Sequence, residues 1–312
     1  MKAQTAGKRF LITGATGSTG SSAVRELIEN GHTVRAFVHC ENERSAKLRA
    51  QGAEVVVGDL LNLDDTRNAL NDVGAAYFVY PISPGLIEAS AFFAQAAKEA
   101  GVSSIVNMSQ ISARRESRSH SARNHWIAER LFDWSGVPVT HLRPTFFAQN
   151  FLYPPFVASI IEHGVISFPF GDARHAPVAA EDQGRLIAAI MADPQPHQGK
   201  TYLLHGPKEM DHFAMAEVIG EALERPVTYE PVEVDRWRER LEQVGAPPFL
   251  VQHLCAIALD YREGLFAGED TTIARLTGKA PMTLKNFILS HRQAFVSQGT
   301  PAATDSAQNV ET

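Results

Sequence analysis

Seven residues near the N-terminus, Gly14-Ala15-Thr16-Gly17-Ser18-Thr19-Gly20, have the types and spacing to hold an anion with backbone alone. Glycines spaced this way permit a tight turn, let the main chain approach a pyrophosphate and allow a helix to pack closely on a strand. A helix starting here would aim free N–H groups and the positive end of its dipole at the phosphates. The run follows the apolar stretch Phe10-Leu11-Ile12 and precedes a helical stripe of Ala23, Val24, Leu27 and Ile28. The context is therefore strand, turn, helix, and it predicts a dinucleotide site. The bland alternative is a glycine turn without a ligand.

Which dinucleotide is decided near the end of the second strand. A site for NAD places Asp or Glu there to accept both ribose hydroxyls. This chain reads Phe37-Val38-His39-Cys40, with no acid at the strand end, and His39, Arg44 and Lys47 could supply positive charge. The expectation is NADP(H) in preference to NAD(H). Glu41 and Glu43 stand nearby, and His39 also reads as an ordinary loop residue. Gly58-Asp59-Leu60 follows the third strand. Asp59 there either lies beside an adenine amino group or caps the next turn, and the residues alone leave both open.

The elements that must position these groups are legible as alternating short apolar runs and helical patterns. Strands are expected at 10–12, 33–38, 55–57, 75–79, 105–108 and 137–142, with helices between them, including one over 125–134. Strands apolar on both faces, alternating with helices, indicate a doubly wound parallel α/β sheet of Rossmann type over residues 1–150. Residues 151–296 read as a smaller, mainly helical substrate-side lobe that could return strands to the main sheet. Residues 297–312, rich in Ser, Thr, Ala and Gln, read as a disordered tail. At 312 residues, 44% hydrophobic and 21% charged, the chain can bury a large core without disulfide or metal. A net charge of −6 argues against a general nucleic-acid binder. No apolar run is long enough to span a membrane, and Cys40 and Cys255 read as reduced thiols of a cytoplasmic protein.

Leu11-Ile12-Thr13-Gly14-Ala15-Thr16-Gly17, Gly58-Asp59-Leu60, His125-x-x-x-Glu129 and the run Leu142 to Asn150 together resemble the NmrA-like family. These are atypical short-chain dehydrogenase/reductases that include NADPH-dependent quinone and triphenylmethane dye reductases. The segment Leu276 to Met282, leading to Phe287 and His291, looks like the family's C-terminal signature. The resemblance implies that Gly14, Thr16, Gly17, Thr19 and Gly20 hold phosphates, with Ser18 in the same loop. It also implies that Tyr80-Pro81 and Ser109-Gln110 face the cofactor. Many members carry Arg where this chain has His39. Ordinary short-chain dehydrogenases use Tyr-x-x-x-Lys on the helix after the fifth strand, the lysine lowering the tyrosine pKa. Here that helix carries His125 and Glu129, a spacing that would let the carboxylate hold an imidazolium. Carbonyl–alcohol chemistry by a Tyr/Lys pair is thus disfavoured, and hydride transfer to a quinone-like, flat conjugated acceptor is expected. His125 is the candidate proton donor, against a packing role; Asn124 beside it could bind the acceptor.

Ligands of open α/β sheets sit beyond the carboxyl ends of the strands. Ile82, Ile111, Phe146, Phe147 and Phe151 are therefore candidates to line an apolar or aromatic small-molecule site, the alternative for each being lobe packing. Arg114, Arg115, Arg118 and Arg123 could border the cleft and favour an anionic acceptor, or form a solvated loop. Twelve histidines show no metal-ligand spacing, and there is no Gly-x-Ser-x-Gly elbow. A non-catalytic NADP-binding redox sensor acting through a protein partner is the second function expected. Oligomeric state is not predicted.

Overall fold

The structure, a computed structural model, describes residues 9–296. The predicted tail at 297–312 lies outside them. Strands and helices alternate from the start: β1 (Arg9–Ile12), α1 (Ser18–Glu29), β2 (Val34–Val38), α2 (Glu43–Ala50), β3 (Glu54–Val57), α3 (Leu63–Leu70), β4 (Val73–Phe78), α4 (Leu86–Glu99), β5 (Ser104–Met108), α5 (His120–Ser135) and β6 (Val139–Pro144). The chain then forms α6 (Pro154–His163), β7 (Val165–Ile166), β8 (Arg174–His175), α7 (Ala180–Ala192), β9 (Thr201–Leu204), β10 (Met210–Asp211), α8 (His212–Leu223) and β11 (Thr228–Tyr229). Four helices close it: α9 (Val234–Gln243), α10 (Pro248–Arg262), α11 (Thr272–Thr277) and α12 (Leu284–Ser290).

The main sheet has seven strands in the order β3-β2-β1-β4-β5-β6-β9, all parallel. Its central strands are buried along their whole length, as expected when helices cover both faces. Strand order reverses between β1 and β4, and the crevice outside their carboxyl ends is where this topology binds ligands. Local sequence sets the boundaries. Gly31 (φ +81°) stops α1, while Asn42, Asn62 and Ser119 cap α2, α3 and α5 with side-chain oxygens.

The chain does not divide cleanly at residue 150. β9 joins the sheet beside β6, and α7 lies against α1, placing Leu186, Ile187, Ile190 and Met191 in the same core as Phe10, Ile12 and Val24. The remaining C-terminal elements form a second core rich in rings: Phe146, Phe151, Phe168, Phe170, Tyr229, Tyr261 and Phe266. His175 and His212 lie among them, their rings 4.9 Å apart. α12 ends at Ser290, and a 3-10 turn, Arg292–Phe295, follows it.

Candidate functional site

The glycine loop is shaped by main chain. Gly14 adopts φ +55°, and a Cβ there would fall 2.5 Å from Val79 Cγ1. A Cβ on Gly20 would collide with the Gly14 carbonyl oxygen, so the first turn of α1 rests directly on the loop. Gly17 N–H donates to Gly14 O at 3.0 Å and Gly17 begins the helix with no side-chain cap. The first turn contains no acidic residue, so no side-chain charge on it opposes an anion at the positive end of the helix dipole. Thr13 fixes the loop against the strand across the crevice: its hydroxyl accepts from Val79 N–H (2.9 Å) and donates to Val79 O (3.3 Å). Thr19 Oγ1 is buried without a hydrogen-bond partner among the described residues. A loop with no room for a Cβ at Gly14 or Gly20, a helix start free of acid and an orphaned hydroxyl all fit a pyrophosphate.

On the β2 side, His39 and Cys40 are exposed. Glu41 is drawn away by Arg49, which leaves the acid nearest the strand end neutralised. Asp59 caps its turn: Oδ1 accepts from Leu61 N–H at 2.9 Å, while its own N–H donates to Asp65 Oδ2 at 3.0 Å. The capping reading is therefore observed, and Leu60 beside it is half-buried. After β4, Tyr80 turns inward; its hydroxyl donates to Pro84 O at 3.1 Å, and burial raises its pKa. Tyr80 thus fastens its own loop, leaving Pro81 exposed and Ile82 half-exposed.

After β5, Ser109 is buried with its hydroxyl turned to Glu129, whose pKa it helps to lower, and Gln110 is half-exposed. The Gln110 amide oxygen accepts from Ser112 Oγ at 2.6 Å, which aims its NH2 towards Ser121 Oγ, 3.4 Å away. α5 then carries His125, 2% exposed, with Nδ1 unpartnered. Burial, and secondarily the neighbouring His253, push its pKa down to about 3 despite Glu129. The expected imidazolium–carboxylate pair does not form. Glu129 instead takes two hydrogen bonds from Arg143 on β6, at 2.8 and 2.6 Å. Burial pushes the Glu129 carboxyl up, but the Arg143 hydrogen bonds outweigh it and hold the group below its ordinary range. His125 is accordingly a neutral imidazole near pH 7. Asn124 stays half-exposed.

The aromatic run after β6 divides. Phe146 packs edge-on against Phe168 and lies 5.0 Å from the His175 ring, and fully buried Phe151 tilts on Phe146 at 5.3 Å. Both belong to the lobe core, as does Ile111, and Phe151 has no free face to offer an acceptor. Phe147 points the other way and remains half-exposed. Of the four arginines read either as a cleft border or as a solvated loop, Arg114 and Arg118 are spent on Asp260 and Glu263, while Arg115 and Arg123 are exposed. The loop is thus solvated in part and tied to α10 through Arg114 and Arg118. Sequence reasoning missed these partners because each lies far along the chain; the one local hint for Glu129 was an arginine inside a buried strand.

A glycine cradle at the switch point of a parallel doubly wound sheet defines a dinucleotide-binding α/β protein. The profile of the NmrA-like family matches residues 6–266, and the chain belongs to that family. Its sequence is 27% identical over 288 residues to an NAD(P)H azoreductase of Xenophilus azovorans, spanning 92% of this chain and 99% of that relative. A (4-alkanoyl-5-oxo-2,5-dihydrofuran-3-yl)methyl phosphate reductase of Streptomyces griseus is 28% identical over 292 residues, 93% of this chain and 100% of the relative. Among solved structures, an NADPH-dependent quinone oxidoreductase from Escherichia coli is similar at a TM-score of 0.78 and 26% identity, covering 91% of this chain and 99% of that one. No helix among the described residues is long and apolar enough to cross a membrane.

Proposed function

We propose that the protein is an NADPH-dependent reductase that delivers hydride to a quinone-like or other flat conjugated acceptor. The observation that carries this reading is the Cβ-intolerant cradle of Gly14 and Gly20 at the β1/β4 crevice. The azo, butenolide and quinone acceptors of the three relatives share a conjugated, polarised bond, which supports the acceptor class. Preference for NADPH rests on the absence of an acid at the end of β2, on Arg49 pairing with Glu41, and on the exposed His39 and Lys47.

The chain's contribution is binding and alignment. Amides of the α1 first turn take the pyrophosphate, and the β4 and β5 loops flank the nicotinamide, which supplies the hydride when bound. Gln110 offers its NH2 to a carbonyl. Reduction of a quinone consumes one NADPH and one proton and yields the hydroquinone. The phenolate formed is stabilised, so its protonation from solvent needs no strong acid, in keeping with a buried, neutral His125. That same burial favours a second reading, an NADP-binding sensor without turnover. Steady-state NADPH oxidation with a small quinone, against an enzyme-free blank, decides between them. Saturable turnover supports the reductase; tight NADPH binding with no turnover on quinones or azo compounds overturns it in favour of the sensor.

A further inference from the structure

The loop leaving β5 is gripped from the opposite lobe. Arg114 donates to both oxygens of Asp260 on α10, at 2.9 and 2.6 Å, although the two residues stand 146 positions apart. The Asp260 side chain is fully buried, and its next nearest cation, Arg118, is 3.8 Å away and pairs instead with Glu263 at 2.7 Å. Gln252, also on α10, accepts from His120 N–H and donates to Arg118 O, at 2.9 and 2.8 Å. Its neighbour His253 places Nδ1 2.7 Å from Ser119 Oγ, the hydroxyl that caps α5.

These contacts continue to the cleft. Arg114 donates a further hydrogen bond to Ser112 O at 3.2 Å, and Ser112 Oγ donates to Gln110 Oε1 at 2.6 Å. A line of hydrogen bonds thus runs from the buried carboxylate through Arg114 and Ser112 to the half-exposed amide of Gln110. A buried carboxylate is costly unless its partner is held in place, so Arg114 has one pose, and Ser112 and Gln110 inherit it.

We infer that Asp260 and Arg114 are positioning residues: through Ser112 they orient the Gln110 amide, so that α10 of the C-terminal lobe sets the acceptor-side wall of the cleft. The ligand group Gln110 meets, a carbonyl or carboxamide oxygen, rests on the reductase reading; the coupling of Asp260 to Gln110 does not. The line gives the chain a route by which movement of the lobe reaches the reacting centre.

Asp260→Asn tests this without leaving a buried charge behind, because the freed Arg114 guanidinium already reaches solvent. A core control, Ile219→Val in α8, touches none of these groups. In Asp260→Asn, amide hydrogen exchange over 110–120 is expected to accelerate by about tenfold or more relative to the control. The emission of bound NADPH should change while its affinity stays within about threefold, and kcat with a quinone should fall by about tenfold through misalignment. Arg114→Lys, which keeps the charge and loses the fork, should recover part of the exchange protection. Exchange over 110–120 and NADPH emission indistinguishable from the control would overturn the inference. A wild-type protein that never oxidises NADPH would instead sink the reductase reading, leaving the coupling to be judged on exchange alone.

Discussion

The two walls of the cleft are held by different forces. On the β1 side the shape is main chain: a left-handed glycine, a helix start seated on it, and a threonine bridging to Val79. On the β5 and β6 side it is buried side-chain charge and imidazole: Glu129 with Arg143, Asp260 with Arg114, and Ser119 with His253. The first wall excludes atoms, whereas the second excludes unpaired charge. Substitutions should therefore fail on the two sides for different reasons, and in different assays.

The largest effect is expected from Arg143→Met. It leaves the fully buried Glu129 carboxylate with only a long contact to Arg130, at 3.5 Å, and removing the main partner of such a pair costs up to about 3–5 kcal/mol. Urea denaturation should show that loss, with NADPH affinity per folded molecule little changed. The double variant Arg143→Met/Glu129→Leu should recover most of the stability, since apolar replacement of a buried pair is often neutral. A double variant as unstable as the single one would break the view of this wall as charge-limited.

Gly20→Ala should behave in the opposite way. The methyl meets the Gly14 carbonyl, and relieving it displaces the loop from the phosphates. A fluorescence titration should show NADPH affinity down by about a hundredfold, or about 2.7 kcal/mol. The melting temperature should fall less than in Arg143→Met.

The same contrast explains what the sequence made legible. Strand positions depend on neighbours within a few residues, and so does the glycine cradle. Ion pairs closed by folding leave no local trace. Glu129 sits four residues after His125 and invites a local pairing, yet Arg143 offers a planar fork at 2.6 Å from the adjacent strand and wins. Phe146 and Phe147 are adjacent and chemically identical; only the direction of the backbone after β6 sends one into the lobe core and leaves the other half-exposed. The return of β9 and α7 to the first core is equally non-local.

Acid should weaken the second wall and its lobe before the first. Burial holds His125 and His212 at about 3 and His253 at about 4, and His175 well below its ordinary value. With folded values depressed below the unfolded 6.5, the unfolded chain binds more protons. The stability is thus complete above about pH 6.5 and is lost as pH falls, by at most about 2 kcal/mol per histidine on reaching pH 5. Melting at pH 7.5 and 5 reads this slope directly. His212→Phe, which keeps a ring among Phe168, Phe170 and Tyr229, should flatten it. An unchanged slope would mean that the lobe opens to water before the imidazoles are protonated.

The smallest effect sharpens the comparison at its most exposed point. His39→Asp puts a carboxylate where an NADP 2′-phosphate would lie, on a surface position with no packing to lose. Two charges about 4 Å apart repel by about 1 kcal/mol in water and more beside protein, so the ratio of NADPH to NADH efficiency should fall by about tenfold. Stability should not move. Lys47 remains and Arg49 still occupies Glu41, so the preference should shrink without reversing. If the ratio is unchanged, discrimination lies in the α2 cations and not at the strand end, and the β1-side wall would then depend on side-chain charge at its rim.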